Sequence, residues 1–177
     1  MITISAFRWV PGFAQGYVRD LRVRWALEEA GRVLFESGAI VLHIGERSEA
    51  LLPRDTGARA CATQWLVAAL NSIEPHIMNV AVLDLFYGDQ EWAKLRRPSA
   101  VEFARHRLNC LAKALGDKLY LDGAHFTAGD LMMTTVLRMR PDLIDDQPLK
   151  AYVERCTDRP AFKRALDAQM GDFKQAA

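Results

Sequence analysis

An excess of charge of either sign is missing from this sequence: 23 Lys and Arg stand against 22 Asp and Glu, a formal net charge of +1. Such a chain has no long-range field for gathering nucleic acid or an anionic lipid surface, and neither is expected as a partner. Cysteine is also scarce. Cys61, Cys110 and Cys156 are odd in number, far apart and outside any Cys-x-x-Cys pair. That argues against a disulfide framework or a thiolate metal site, and the three read as reduced, mostly buried thiols. His43, His76, His106 and His125 show no HxxxH spacing and no carboxylate cluster beside them, so no metal is expected. The N-terminus lacks a basic segment followed by an apolar run, and apolar runs such as Trp65 to Leu70 are far too short to cross a bilayer. A soluble, cytoplasmic protein is expected.

Core-forming residues are plentiful. Half of the 177 residues are apolar and a quarter charged, enough to fold as one or two globular domains. Ile2, Ile4 and Ala6 alternate with Thr3, Ser5 and Phe7, which predicts a short strand ending at Arg8-Trp9-Val10-Pro11-Gly12. Val18, Leu21, Trp25 and Leu27 fall near helical spacing, and Gly31 closes that helix. Val33-Leu34-Phe35 is a second strand candidate. Ser37 then reads as the N-cap of an apolar helix over 39–46, and Pro53 as the end of this segment.

Beyond Pro53 the pattern is helical throughout. Residues 58–86 carry Ala62, Trp65, Leu66, Ala69, Ile73, Ile77, Val80 and Leu83 at three- and four-residue steps, one long amphipathic helix in which Pro75 should produce a kink. Ser99-Ala-Val-Glu102 has capping-box spacing and predicts the start of a helix running to Gly116. Thr127 and Asp130 form a second capping box, with Phe126 placed to staple onto Leu131, ahead of an almost wholly apolar helix over 131–139. These two polar residues read as folding determinants. Pro148 and Pro160 open two final helices, the second ending at Gly171. Arg96-Arg97 and Arg105-His106-Arg107 read as solvated charge runs.

A strand-helix-strand-helix unit feeding an all-helical remainder resembles the cytosolic glutathione S-transferases. Four stretches carry the resemblance: Val23-Arg24-Trp25-Ala26-Leu27-Glu28-Glu29-Ala30-Gly31, Leu34-Phe35-Glu36-Ser37-Gly38-Ala39-Ile40, Phe126-Thr127-Ala128-Gly129-Asp130, and Arg159-Pro160-Ala161-Phe162. It implies a thioredoxin-like, glutathione-binding α/β unit over 1–52 and an all-helical domain over 58–177. It also implies a homodimer that conjugates glutathione to a small electrophile. One departure stands out. The family pattern places a second strand, a short helix and a third strand entered through a cis-proline before the Glu-Ser junction, whereas Gly31 here runs directly into Arg32-Val33-Leu34-Phe35-Glu36. Roughly thirty residues of that pattern are absent, more than a packed sheet ordinarily loses.

The resemblance also assigns roles. Ser37, on its own an ordinary N-cap, becomes with the exposed amides around it a seat for the ligand's α-carboxylate, and Glu36 a partner for the ligand's ammonium. Tyr17 falls where serine-type relatives carry the catalytic hydroxyl, and a phenol there could donate to the sulfur. Trp9 either walls the glutathione site or belongs to the core. Met78, Val82 and Phe86 are candidates for the hydrophobic-substrate pocket. No cysteine lies between Phe7 and Arg24, which disfavours chemistry through a protein–glutathione mixed disulfide. Two other readings accompany conjugation: a non-catalytic dimerisation or binding scaffold, and a glutathione-dependent isomerase or dehalogenase.

Overall fold

The computed structural model describes residues 15–16 and 36–175. The expected strands and first helix, and with them Trp9, Tyr17 and the Gly31–Arg32 junction, lie outside the described residues. Those described form seven α-helices: α1 (Ser37–Gly45), α2 (Thr56–Ala68), α3 (Glu74–Phe86), α4 (Glu91–Leu115), α5 (Ala128–Leu137), α6 (Gln147–Thr157) and α7 (Pro160–Gln175). A π-helical turn, Ala69–Ile73, joins α2 to α3, and a 3₁₀ turn, Pro141–Leu143, precedes α6. Among the described residues β-pairing is limited to one isolated bridge between Tyr120 and Gly123.

The long amphipathic helix begins two residues earlier than its periodicity predicts, because Asp55 caps it by accepting from the Ala58 amide at 2.8 Å. Pro75 does not simply kink it. The preceding turn widens from α to π, and Pro75 falls in the first turn of α3, where a missing N–H is tolerated. The buried face runs through Ala62, Leu66, Ala69, Ile73, Ile77, Val80 and Leu83. Upstream of the π turn it packs mainly on α5, and downstream on α4. By length and composition Thr56–Phe86 is apolar enough to cross a membrane, correcting the expectation from apolar runs alone, yet its buried stripe is that of a bundle's core helix.

Ser99 does not cap a helix. It lies inside α4, which starts at Glu91, and its hydroxyl donates to the Arg96 carbonyl at 3.0 Å. Pro98 is accommodated within the same helix because it faces solvent, where water can satisfy the carbonyl its ring leaves without a donor. Ala93, Ala100, Ala104, Leu108, Leu111 and Leu115 keep one buried face on both sides of it.

The capping box at Thr127 and Asp130 forms as expected and is the best-connected polar point of the bundle. Asp130 Oδ2 accepts from the Thr127 amide at 2.9 Å, and Thr127 Oγ1 accepts from the Gly129 amide at 3.3 Å. The Ala128 amide donates to the Leu51 carbonyl at 2.8 Å, tying the α1–α2 connection to the start of α5. Gly129 lets α5 approach α2 closely: a Cβ there would lie 2.6 Å from Trp65 Cβ and 3.0 Å from the Ala62 carbonyl oxygen. Phe126 and Leu131 are both buried, and the Phe126 ring meets Tyr120 edge-on and lies under the Arg159 guanidinium.

The thiols divide differently from the expectation. Cys156 is buried, but Cys61 and Cys110 are exposed, because their positions on α2 and α4 fall off the buried stripes. The charge runs are partly paired rather than simply solvated: Arg97 grips Asp84, Arg105 reaches Asp145, and Arg107 Nε donates to the Ser72 carbonyl in the π turn at 3.2 Å. Pro148 and Pro160 open α6 and α7 as predicted, and α7 continues past Gly171 to Gln175.

Candidate functional site

The start of α1 departs from the N-cap geometry its sequence suggests. Glu36, not Ser37, is the capping residue, and it holds φ 65°, ψ 112°, a backbone conformation that favours glycine. Its side chain makes no capping hydrogen bond, while its carbonyl accepts the first helical bond from the Ile40 amide at 2.9 Å. Ser37 is therefore the first residue inside the helix. Strain on a charged, exposed side chain costs free energy that an ordinary cap would not, and strained residues of this kind concentrate at ligand-binding positions.

Helix geometry leaves the amides of Ser37, Gly38 and Ala39 without intrahelical acceptors. They add to the positive end of the helix dipole, and a carboxylate placed there gains both hydrogen bonds and electrostatic stabilisation. Ser37 is half-buried and adjoins this site, and Glu36 is exposed beside it, so a hydroxyl, a set of amides and a carboxylate meet within two residues. That arrangement suits a zwitterion carrying a carboxylate next to an ammonium group.

The three pocket candidates share one stripe of α3, four residues apart. Met78 and Val82 are half-buried and Phe86 is exposed. A cleft of about 200 Å³ lies elsewhere, beside the π turn, where Trp65, Ile73, Arg107, Cys110 and Met133 line it. Among the described residues no group of three or more His, Cys, Asp or Glu side chains is arranged to hold a metal ion.

Two features escape sequence reasoning. The Glu36 strain has no local signature, since most sequences place Gly or Asn at such a φ. Arg138, at the end of α5, donates to the Gly16 carbonyl at 3.2 Å. Residues 122 positions apart give no periodic signal.

No family model matches the chain. Among curated proteins it is 28% identical over 152 residues to a disulfide-bond oxidoreductase of Escherichia coli K12, YfcG, covering 78% of this chain and 66% of that protein. It is 27% identical over 164 residues to an uncharacterised GST-like protein of Streptococcus mutans, covering 82% of this chain and 58% of that one. Its fold superposes, with a TM-score of 0.75 and 23% identity, on a glutathione transferase family member from Pseudomonas fluorescens solved with two glutathione molecules bound; the match covers 92% of this chain and 99% of that one. The chain belongs to the glutathione S-transferase family. As a member of that family it spans no more than about two thirds of the length of its two curated relatives. The glutathione S-transferase likeness of its described helices is one of fold.

Proposed function

We propose that this chain binds glutathione at the start of α1 and joins its thiolate to a small hydrophobic electrophile. The observation that carries the reading is the strained Glu36 at the mouth of the helix, with Ser37 and the first-turn amides beside it. The ligand's α-carboxylate sits on those amides and the Ser37 hydroxyl, and its ammonium pairs with Glu36. Its sulfur, ionised near neutral pH, attacks an electrophilic carbon. One C–S bond forms as the bond to the leaving group breaks, and the leaving group departs with the electron pair. In this reading Tyr17 donates to the thiolate and Trp9 walls the glutathione site, both outside the described residues. Met78, Val82 and Phe86 line the electrophile's pocket. The working form is a cytoplasmic homodimer, and the two domains divide at 52 and 58.

The named function of the E. coli relative supports a second reading, in which two glutathione molecules reduce a substrate disulfide to two thiols and leave as glutathione disulfide. The absence of a cysteine between Phe7 and Arg24 then requires glutathione itself to supply both sulfurs.

Calorimetry on Ser37→Ala tests the site. Glutathione affinity should fall by roughly 1–2 kcal/mol, the worth of a donor to a charged carboxylate. Unchanged affinity in a folded variant would remove Ser37 from the site. Assays with an activated aryl halide and with a small disulfide separate the two reactions. Tyr17→Phe should lower aryl-halide turnover at about pH 6.5 and raise the pKa of bound glutathione, with little change in its affinity. Wild-type protein that binds glutathione but performs neither reaction would make the chain a binding scaffold.

A further inference from the structure

Gly16 is the described residue nearest in sequence to Tyr17, and the helical bundle builds a seat for it. It is buried, with φ 78°, and a Cβ there would lie 3.3 Å from Leu166 Cδ1 and 3.8 Å from Met170 Sδ, both on α7. Its carbonyl accepts from Arg138 Nη1 at 3.2 Å. The Arg138 guanidinium is itself held over the Phe162 ring, 4.7 Å from its centre, so a residue at the end of α5 is braced by α7 while it reaches the N-terminal turn. A buried carbonyl needs a donor, and a half-buried guanidinium stacked on an aromatic face loses little freedom in providing one.

We propose that Arg138 is a positioning residue: it fastens the Gln15–Gly16 turn to the helical bundle and so sets where the backbone entering Tyr17 begins. The consequence for catalysis rests on the reading above, in which the Tyr17 hydroxyl serves the glutathione thiolate. Arg138 acts through that loop and touches neither reactant in this account. The contact also explains why glycine stands at position 16. Any side chain would meet Leu166, and a positive φ is costly for other residues.

The test compares wild-type protein with Arg138→Gln, Arg138→Lys and Gly16→Ala. Three readouts are needed: amide hydrogen exchange, the ultraviolet signature of bound glutathione thiolate across pH, and steady-state conjugation of an activated aryl chloride. Arg138→Gln should accelerate exchange in the peptide containing Gln15 and Gly16 while α5 and α7 stay protected. It should lower kcat by about tenfold or more, because small displacements of a catalytic group carry penalties of that order. It should leave the KM for glutathione within about twofold and raise the bound-thiol pKa, since carboxylate binding at α1 is untouched while sulfur stabilisation is lost. Arg138→Lys should restore part of the loss, and Gly16→Ala should reproduce the Arg138→Gln pattern from the other side of the contact. Unchanged exchange around Gly16 in Arg138→Gln would overturn the proposal. So would exchange that rises equally throughout α5 and α7, which is what a purely structural role predicts. If the wild-type protein neither shifts the thiol pKa nor conjugates, the catalytic reading fails on its own. The exchange comparison still decides whether Arg138 holds the turn.

Discussion

The Tyr152 hydroxyl donates to Asp130 Oδ1 at 2.9 Å, and both residues are wholly removed from solvent. The same oxygen accepts from the Leu121 amide at 2.9 Å, so one carboxylate fastens the 120–127 loop, the first turn of α5 and the middle of α6. Burial pushes the Asp130 carboxyl above its ordinary range, and the amides of Leu121 and Thr127 and the Tyr152 hydroxyl pull against that rise.

Tyr152→Phe should therefore destabilise the protein by about 1–3 kcal/mol at neutral pH, because a buried carboxylate loses a donor. The sign of its pH dependence follows from linkage. A carboxyl whose folded pKa is raised contributes its full stability below the unfolded value and loses it as pH rises through the folded value. Removing a donor that favours the charged form raises the folded pKa further. The difference between wild type and Tyr152→Phe should thus be largest near neutrality and shrink at about pH 3.5, where the folded carboxyl is protonated. Denaturant melts at the two pH values measure it, and a difference independent of pH would mean that packing alone explains the loss.

Thiol titration should resolve the three cysteines. Cys61 and Cys110 are exposed and should react promptly with an aromatic disulfide reagent in the native protein. Cys156 is buried, and burial, with help from the Asp130 charge, pushes its thiol up to about 11. It should react only after denaturation. A third thiol reacting natively at the rate of the others would show that α6 opens readily.

A small ion cluster predicts the opposite pH behaviour. Arg140 bridges Asp84 at 3.0 Å and Asp142 at 2.6 Å, and Arg97 pairs with Asp84 through two hydrogen bonds. These guanidinium hydrogen bonds hold both carboxyls below their usual range. Depressed carboxyl pKa values contribute stability above the unfolded value that is lost as pH falls through the folded one. Arg140→Ala should cost about 1 kcal/mol or less at pH 7, allowing for solvent screening of exposed partners, and the cost should shrink in acid and in high salt. Thermal melts across pH and salt check this, and an undiminished cost in high salt would assign the effect to packing of the side chain.

The helical remainder was legible wherever the signal was local. Thr127 and Asp130 lie three apart and satisfy each other's termini, so their spacing alone carried the structure. Ser99 and Glu102 have the same spacing inside a continuous helix, because a capping pattern says nothing about whether the turn before it has already formed. There the decisive fact was the buried face of Ala93, too weakly apolar to mark α4 seven residues upstream. The site was legible in residue type at Glu36 and Ser37 but not in geometry, since Glu36 takes the cap position by a strained φ that residue type does not announce. Arg138 and Gly16 were silent because their meeting depends on how the bundle closes.

The π turn at Ala69–Ile73 works as a phase adjuster for the longest helical run in the protein. Each residue of an α-helix advances by roughly 100° around the axis, so losing one residue from that turn would rotate everything beyond it by about that angle. Ile77, Val80 and Leu83, now set against the core, would swing toward water together. Single substitutions at Asn71 or Ser72 leave that phase intact, whereas a one-residue deletion between them would not. This stretch should therefore absorb changes of residue type while refusing any change of length.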